Sequence, residues 1–452
     1  MGAKLTDFPF KLSQTPAHCG PLPASADCVV IGGGIIGVMT AWALAKKGLR
    51  AVVLEKGRVA AEQSSRNWGW IRQQGRDPAE IPIMIDANAM WRQLATEIGP
   101  ELGLKQTGVL YLTDRPKGLA AYEDWMVHAR AHGLDTRILT SAEVSEMAPS
   151  ASKSWVAGLW TASDMRAEPW QAVPALARAA VAAGVTIVEH CAARVIDTAA
   201  GRVSGVMTEK GRIVAPSVVV AGGAWSSLFL RRHGVNIPQL SVRATAAATA
   251  PLPNVLGSPA VDETVAWRRR QDGGYTLAPG AFHDMFVGPD AFRAFRAFIP
   301  QLSADPFGTR YRMAAPKGYP DAWGTARDWS GEDVTPFEKM RILNPEPNAA
   351  QVAKIARDFA ARFPSVGEVK IKAAWAGMID TMPDIVPVLD RAPTIDGLVI
   401  ATGMCGHGFG IGPAFGRLAA ALVTGDAPGH DISRFRLSRF TDGSKLVLGP
   451  SL

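Results

Sequence analysis

The chain has 452 residues, 47% of them hydrophobic and 20% charged, which supplies a sizeable core and excludes wholesale disorder. The 48 Lys and Arg exceed the 41 Asp and Glu by seven charges, a mild surplus that does not indicate nucleic acid binding. The four cysteines include no C-x-x-C pair, so neither a disulfide framework nor a metal site is expected.

The first part of the chain offers no export signal and no membrane span. Residues 1–27 form a predicted N-terminal arm, polar and rich in proline, without the charged, apolar and small-residue layout of a secretory signal. The longest apolar run, 28–45, carries four glycines and divides into a strand and a helix instead of one uniform span. We therefore expect a cytoplasmic protein.

A dinucleotide-binding motif follows the arm. Residues 28–31 have the pattern of a buried strand, and a G-x-G-x-x-G motif with Gly32, Gly34 and Gly37 leads into a predicted helix and a second strand that ends at Glu55. Gly32 allows the tight turn, Gly34 lets the backbone approach a pyrophosphate, and Gly37 permits close helix packing. Glu55 would accept hydrogen bonds from an adenosine ribose. The complete pattern favours a nucleotide fold over a chance glycine-rich turn.

Three distant segments return to this predicted fold. Residues 61–70 are polar and aromatic, and would bond the pyrophosphate or ribityl chain unless they form an ordinary solvated loop. Apolar strands at 213–221 and 397–403 each end in glycines, and the second leads into a helix over 413–423, whose N–H groups would stabilise negative charge on a flavin pyrimidine. The predicted cofactor contacts are Gly32, Gly34, Ile35, Ile36, Gly37, Glu55, Lys56, Ser64, Ser65, Arg66, Asn67, Trp68, Gly69, Ala193, Val195, Ala221, Gly222, Gly223, Trp225, Gly377, Gly403, Gly406, His407, Gly408, Phe409 and Gly410.

With these motifs the sequence resembles the D-amino-acid oxidase and dehydrogenase superfamily of FAD enzymes, and within it the flavin-dependent L-amino-acid deaminases. The resemblance is carried by residues 20–41, 54–66, 191–211 and 335–341. It implies a noncovalent FAD, a small amine or amino acid as substrate, and oxidation of a C–N bond to an imine by hydride transfer to flavin N5. Hydrolysis would then release a keto acid or aldehyde plus ammonia or an amine, and oxygen or a respiratory quinone would take the electrons.

The chain departs from the family pattern in two places. Enzymes of the deaminase branch carry a membrane-anchoring N-terminal segment, and residues 1–27 show none. Residues 375–387 resemble a strand whose arginine pairs with the substrate carboxylate in glycine-oxidase-like members, but Ile379 stands at that position and Asp380 follows. Polyamine-type relatives also place an apolar residue and then an acid here. Sarcosine-oxidase-like members attach the flavin to a cysteine near the place of Gly377, so a covalent link is not expected.

The predicted fold class is α/β, a discontinuous Rossmann-type FAD-binding domain with an inserted α+β substrate domain built on a mixed, mostly antiparallel sheet. The predicted division is an N-terminal arm at 1–27, an FAD-binding domain at 28–96, 164–230 and 371–435, a substrate domain at 97–163 and 231–370, and a C-terminal tail at 436–452.

Flavin-dependent amine oxidation needs little acid–base machinery, so the candidate catalytic residues are those that would orient the substrate and balance its charge. Arg243 and Arg269 lie on predicted strands of the substrate domain, where a bidentate guanidinium could hold a carboxylate. Strand alternation places Arg269 on the opposite face from Arg268 and Arg270. The alternative is a solvated basic strand face.

Four further residues complete the candidate catalytic set. His407 lies in the loop at the predicted flavin edge, where it would contact flavin or substrate, or cap the entry to the last helix. Trp375 and Tyr275 would wall a cage for an ammonium group, or pack in the core. Asp380 would pair with a cationic substrate group, or end a strand.

Residues 291–299 alternate three phenylalanines with two arginines at a spacing that suits one helical stripe. A helix of this kind either contacts a membrane surface or partner, or packs as a lid on the substrate domain, and the second interpretation is the ordinary one. The first would make the protein peripheral to the inner membrane. It would also suit a flavin subunit of a multi-chain dehydrogenase, the main alternative function. A monooxygenase is disfavoured because the chain shows no second G-x-G-x-x-G unit.

Overall fold

The computed structural model describes residues 8–304 and 309–449. Its helices are α1 (Ile35–Lys46), α2 (Gln63–Arg66), α3 (Ile81–Ile98), α4 (Pro116–Ala131), α5 (Ser141–Met147), α6 (Pro169–Ala182), α7 (Ser226–Arg232), α8 (Pro289–Ala304), α9 (Pro336–Lys339), α10 (Ala349–Arg362) and α11 (Gly408–Thr424). Its strands are β1 (Cys28–Ile31), β2 (Ala51–Leu54), β3 (Trp70–Ile71), β4 (Lys105–Gln106), β5 (Val109–Thr113), β6 (Thr136–Thr140), β7 (Ala157–Thr161), β8 (Met165–Arg166), β9 (Thr186–Val188), β10 (Ala193–Ala199), β11 (Arg202–Thr208), β12 (Gly211–Val214), β13 (Val218–Val220), β14 (Leu240–Thr249), β15 (Ala260–Val261), β16 (Val265–Arg269), β17 (Tyr275–Pro279), β18 (His283–Phe286), β19 (Thr309–Arg312), β20 (Ile371–Thr381), β21 (Val388–Arg391) and β22 (Leu398–Thr402).

The first sheet is the nucleotide-binding sheet that the motif predicts. Its strand order is β21-β22-β13-β1-β2-β9, parallel throughout except for β21. Its central strands are short, buried and rich in valine because both faces of the sheet are covered, one by helices and the other by strands β10, β11 and β12 together with α7. Helices α1, α3, α6 and α11 pack on one face and form the largest apolar core among the described residues. The carboxyl ends of the strands therefore meet at one edge, where a ligand binds in this class of sheet.

The second large sheet is mixed and mostly antiparallel. Its order is β19-β18-β14-β17-β16-β15-β5-β7-β6, and β20 pairs with β14 along its whole length. Strand β20 thus belongs to this sheet, although the predicted FAD-binding domain resumes at residue 371. A nucleotide fold built from distant segments, with an α+β unit inserted, confirms the predicted fold class.

A buried ion pair joins the two sheets. Arg268 on β16 and Glu168, which precedes α6, are both about 1% exposed, and two N–H···O contacts of 2.9 and 3.0 Å make the pair bidentate. Arg268 Nε also donates to the carbonyl of Trp68 at 2.6 Å. The guanidinium therefore joins the large mixed sheet to Trp68 and to the residue that precedes α6.

Part of the predicted N-terminal arm is described, and it packs across the molecule. Phe8 lies edge-on against Trp375, and the Arg58 guanidinium lies 4.0 Å from the Phe10 ring centre. Further along, the backbone N–H groups of Ala17 and His18 donate to Glu189 at 2.6 and 2.7 Å. Among the described helices, none combines the length and the apolar character that crossing a membrane requires.

Candidate active site

One cavity is lined by the carboxyl edge of the parallel sheet and by the facing surface of the large sheet. The parallel strands contribute Ile31, Leu54, Val220 and Thr402 at their ends. Strands β14 and β20 contribute residues 244–246 together with Gly377, Ile379 and Asp380. The cavity therefore lies at the position that parallel α/β sheets use for nucleotide cofactors, with a second wall supplied by the inserted unit.

The glycine motif forms the cradle that its spacing predicts. Gly32 has φ of +117° and lies so close to the Ala221 carbonyl that a Cβ there would overlap it. Gly34 precedes α1 in an extended conformation, and the first turn of α1 contains no acidic side chain. A Cβ on Gly37 would collide with the Gly32 carbonyl, so only glycine lets α1 pack this closely. The backbone and the helix N-terminus fit a pyrophosphate group.

Glu55 lies where an adenosine ribose would meet the motif. Its two carboxylate oxygens accept hydrogen bonds from Gly33 N at 2.8 Å and Gly57 N at 2.7 Å. Burial raises the pKa of Glu55 to about 7, although these two hydrogen bonds and the charge of Lys56 act in the opposite direction. A carboxylate held in this way has an acceptor position matched to ribose hydroxyl donors.

The segment after Glu55 turns along the cavity and binds the two later segments. Glu62 accepts hydrogen bonds from Lys56 Nζ at 2.6 Å and from the Trp225 indole at 3.2 Å. Ser64 Oγ accepts from Ile35 N at 2.9 Å, so it contacts the first turn of α1. Arg66 is buried and donates to the Ala376 carbonyl on β20 at 2.9 Å. These contacts position residues 61–70 against the cofactor fold instead of leaving them as a solvated loop.

Most of the predicted cofactor contacts line the cavity, and the others lie just behind its wall. Those behind the wall support neighbouring residues through the backbone or by close packing: Gly37, Ser65, Gly69, Val195, Gly403 and Gly410. Those on the wall are Gly32, Gly34, Ile35, Ile36, Glu55, Lys56, Ser64, Arg66, Asn67, Trp68, Ala193, Ala221, Gly222, Gly223, Trp225, Gly377, Gly406, His407, Gly408 and Phe409.

Asp380 is one of two candidate catalytic residues that line the cavity. Its side chain is buried, and Oδ2 accepts from Gly403 N at 2.8 Å and from Met404 N at 3.3 Å. Burial raises the pKa of Asp380 to about 6 against the effect of these hydrogen bonds. The carboxylate therefore holds the turn that leads into α11.

His407 is the other candidate that lines the cavity, at the residue before α11. Its ring nitrogens are buried, and Nδ1 lies 3.3 Å from a Glu80 carboxylate oxygen. Burial, with the nearby charge of Arg76, lowers the pKa of His407 to about 4, so the imidazole is neutral at neutral pH. Its backbone carbonyl accepts from both terminal nitrogens of Arg76 at 3.4 Å. The ring is packed into a buried cluster below the loop.

The two candidate arginines do not line the cavity. Arg243 forms an ion pair at 2.7 Å with the buried Asp284, which lies on the neighbouring strand β18. Arg269 is half-buried and donates to the Leu252 carbonyl at 3.0 Å and to the Tyr275 hydroxyl at 3.3 Å. Both guanidinium groups thus bind partners within the large mixed sheet and its loops.

Tyr275 and Trp375 also lie away from the cavity wall. Tyr275 is completely buried, and its hydroxyl accepts from Val255 N at 3.0 Å. The Trp375 indole donates to the Arg66 carbonyl at 2.9 Å, so it supports the cavity-lining segment from behind. The structure therefore gives both aromatic residues packing positions.

A pair of arginines that the sequence analysis passed over does line the cavity. Arg72 donates through Nη1 to the carbonyls of Gln74 and Gly75, and its guanidinium lies 5.6 Å from the ring centre of Tyr111. Arg76 is buried and donates through Nε to the Arg72 carbonyl at 3.0 Å. The signal was two arginines four residues apart, directly after the aromatic segment at 61–70.

The fold and the cavity are those of a protein that binds a flavin nucleotide. Comparisons with known proteins agree with this class. The model of the FAD dependent oxidoreductase family, DAO, matches residues 27–422, so the chain belongs to this family. This confirms the predicted family and FAD as its cofactor.

Solved structures and curated relatives show the same similarity. The L-amino acid deaminase from Proteus myxofaciens, solved in complex with anthranilate, has a TM-score of 0.89 and 30% identity, covering 94% of this chain and 96% of that one. The enzyme from Proteus vulgaris has a TM-score of 0.88 and 29% identity, covering 93% and 98%. Mouse mitochondrial sarcosine dehydrogenase is 26% identical over 435 residues, which are 93% of this chain and 42% of that protein. The chain thus spans about two-fifths of the length of the sarcosine dehydrogenases it matches.

Proposed function

We propose that this chain oxidises the C–N bond of an amino acid or amine to an imine, which water hydrolyses to a keto acid or aldehyde plus ammonia or an amine. The observation that carries the proposal is a cavity that joins a dinucleotide cradle to a wall on the inserted sheet. The names of the similar proteins, L-amino acid deaminase, glycine oxidase and sarcosine dehydrogenase, support this class of substrate. N-substituted amino acids and polyamine derivatives remain the alternative substrates to be compared in the assay below.

The residues of the chain have distinct tasks in this proposal. Bound FAD supplies the hydride acceptor. The backbone at Gly32 and Gly34 holds its pyrophosphate, Glu55 accepts from its ribose, and the start of α11 offers N–H groups to the flavin. Apolar side chains of the cavity wall, among them Trp70, Val261 and Ile379, would exclude water from the reacting atoms.

Arg72 is the proposed anchor for a substrate carboxylate. Ile379 removes the arginine that glycine-oxidase-like members place on β20, so an anion must be bound from another element. Arg72 lines the cavity and packs over the ring of Tyr111, and none of the acids in the described part of the chain lies within 4 Å of its guanidinium, although its charge acts on Asp164 and Glu80. Its neighbour Arg76 is only 3.7 Å from Glu80 and is charge-balanced by it. A carboxylate would therefore find at Arg72 a guanidinium that has no carboxylate in direct contact.

The flavin is proposed to be noncovalent. Cys405 lines the cavity but is completely buried, and its thiol donates to the Gly403 carbonyl at 3.1 Å. Burial raises the pKa of this thiol well above its usual value, which keeps it in the unreactive protonated form.

The electron acceptor is proposed to be reached at a membrane surface through residues 291–299. Phe292 and Phe295 on α8 are 67% and 55% exposed, and Arg296 lies beside them on the surface. Arg293 is turned toward the protein, where it pairs with Asp290 at 3.3 Å and donates to the Ile237 carbonyl at 3.0 Å. Apolar rings beside a cation suit an anionic lipid surface, and would serve a respiratory quinone as acceptor in place of oxygen. The same surface would dock a partner chain if the protein is a flavin subunit of a larger dehydrogenase.

An anaerobic flavin-reduction screen tests the proposed function. The protein loaded with FAD is mixed with L- and D-amino acids, sarcosine and polyamines while the flavin absorbance is followed. We expect at least one amino acid to bleach the flavin, and Arg72→Met to lower kcat/KM for it by about 10- to 100-fold through loss of a charged hydrogen bond. Arg202→Met is the matched control, because the Arg202 side chain is 70% exposed to solvent. A fully loaded protein that no amine bleaches would contradict the proposal.

A further inference from the structure

A buried carboxylate stands directly behind the loop that carries Arg72. Asp164 lies in the turn between β7 and β8 and has no exposed surface. Its Oδ1 accepts from Gln73 N at 2.7 Å and from the Gln73 side-chain amide at 3.2 Å, and its Oδ2 accepts from Gln74 N at 3.5 Å. Two consecutive backbone N–H groups of the loop therefore point at one carboxylate.

The same loop residues determine where the Arg72 side chain lies. The carbonyls of Gln74 and Gly75 accept from Arg72 Nη1, the second at 3.1 Å. Thr161 Oγ1, one strand away, donates to the Gln74 side chain at 3.0 Å. A continuous set of contacts thus runs from Asp164 through the loop backbone to the guanidinium that lines the cavity.

The charges around Asp164 are consistent with this link. Burial raises the pKa of Asp164 to about 7, opposed by the hydrogen bonds from Gln73 and Gln74 and by the charge of Arg72. Arg76 is the other nearby cation, and burial together with the charge of Arg72 lowers its pKa to about 10. In the same turn, the neighbouring Ser163 donates to Asp135 and accepts from the Gln73 side-chain amide. The hydrogen bonds from the loop therefore favour the ionised form of Asp164 against the effect of burial.

We propose that Asp164 is a positioning residue that holds the 72–75 loop so that Arg72 can bind the carboxylate of a substrate. The inference rests on the proposed function only in assigning Arg72 to a carboxylate. It adds a residue from the turn before β8, in a different part of the chain from the cofactor motif, to the machinery of substrate binding. Asp164→Asn would keep one acceptor for Gln73 but present an N–H₂ group to Gln74 N, which disturbs the loop.

Ligand binding to the FAD-loaded protein tests the proposal without turnover. Anthranilate and aniline, which differ by the carboxylate, are titrated while the flavin absorbance is followed. We expect Asp164→Asn to raise the Kd of anthranilate about tenfold and to leave that of aniline unchanged. Asp114→Asn, at a half-buried acid near the surface that pairs with Lys153, is the matched control and should change neither Kd.

A double-mutant cycle separates positioning from general destabilisation. Asp164 acts through Arg72, so Asp164→Asn should have no further effect on anthranilate binding in an Arg72→Met background. An equal tenfold effect in that background, an equal loss of aniline binding, or failure of the wild type to bind anthranilate would each overturn the proposal. Anthranilate binding without bleaching by any amine would instead reject the proposed function and leave this inference standing.

Two further measurements keep the test decisive. If Asp164→Asn does not retain FAD, Thr161→Val loosens the same loop through the Gln74 side chain and should weaken anthranilate binding about threefold, with aniline unchanged. In the wild type the Kd of anthranilate, relative to aniline, should rise as the pH falls from 8 to 6, because protonated Asp164 loses an acceptor. Asp164→Asn should abolish this pH dependence, and a dependence that persists would contradict the assignment.

Discussion

Three carboxyl groups in and around the cavity are buried, and burial disfavours their ionised form. Burial raises the pKa of Glu55 and Asp164 to about 7 and that of Asp380 to about 6. A raised carboxyl pKa means that the folded protein binds more protons than the unfolded chain between the two pKa values. The stability that these groups contribute is complete below about pH 4 and is lost as the pH rises through about 6 to 7. The unliganded protein therefore carries this electrostatic cost at neutral pH.

Glu55 should couple FAD binding to proton release. Ribose hydroxyls donate to the carboxylate form, so FAD favours ionised Glu55, which is half-protonated at about pH 7 in the unliganded protein. We expect the Kd of FAD to be about tenfold higher at pH 6 than at pH 8. Titration of the unliganded protein by flavin fluorescence quenching measures it. Glu55→Gln should flatten most of the dependence, and an unchanged pH profile in that variant would refute the role.

The three phenylalanines of helix α8 do not share one face of the helix. The spacing predicts one stripe of three phenylalanines, but a step of three residues falls about 60° short of a full turn. Phe292 and Phe298 therefore point about 120° apart. Phe298 and Ala294 are buried against the large sheet, whereas Phe292 and Phe295 are exposed. The helix thus packs against the large sheet on one side and exposes two aromatic rings on the other.

The exposed face of α8 should bind anionic lipid. Replacing Phe292 and Phe295 together by serine removes two rings that would insert at the headgroup level, and should lower vesicle binding about tenfold or more. Co-sedimentation with phosphatidylglycerol vesicles measures this. Val127→Ser, which removes an exposed apolar side chain from α4, is the control and should bind as the wild type does. A wild-type protein that stays in the supernatant would count against the membrane contact.

At the scale of the whole molecule, the inserted sheet is joined to the nucleotide fold by charge as well as by apolar packing. The Arg268–Glu168 pair lies between β16 and the start of α6, and Arg166 donates to Glu168 at 3.0 Å. Glu168 also accepts from Gln271 N at 3.0 Å. A pair so deeply buried and so fully hydrogen-bonded acts as one unit, because removing either partner leaves a buried charge without compensation.

Arg268→Leu should destabilise the protein by about 3–5 kcal/mol, because Glu168 would lose its bidentate partner in the interior. Urea unfolding followed by tryptophan fluorescence measures the change. Arg202→Leu, which breaks a surface pair with Asp396, should change the free energy of unfolding by no more than about 1 kcal/mol. Equal effects of the two substitutions would show that the buried pair does not join the two units.

The contrast between the two sets of predicted residues follows from how far apart the interacting parts lie in the chain. The G-x-G-x-x-G motif is local: strand, turn and helix are neighbours in sequence, so the position of Gly32, Gly34 and Glu55 in the cavity could be predicted. The substrate side is not local. Strand alternation places the side chain of Arg243 on the opposite face of β14 from its two neighbours. Only the pairing of β14 with both β18 and β20 decides which face of β14 borders the cavity and which brings Arg243 to Asp284.

The amino-acid sequence was sufficient for the family, the flavin cofactor and the α/β fold class, and most of the residues predicted to contact the cofactor line one cavity, because these features depend on short motifs with strict steric requirements. Which polar side chains face the cavity depended on long-range strand pairing and on buried partners. Asp164 lies about 90 residues from the loop that it binds, and Arg72 reaches the cavity because that loop is held from behind. No periodicity in the chain records such a contact, since it forms only when the two segments pack together.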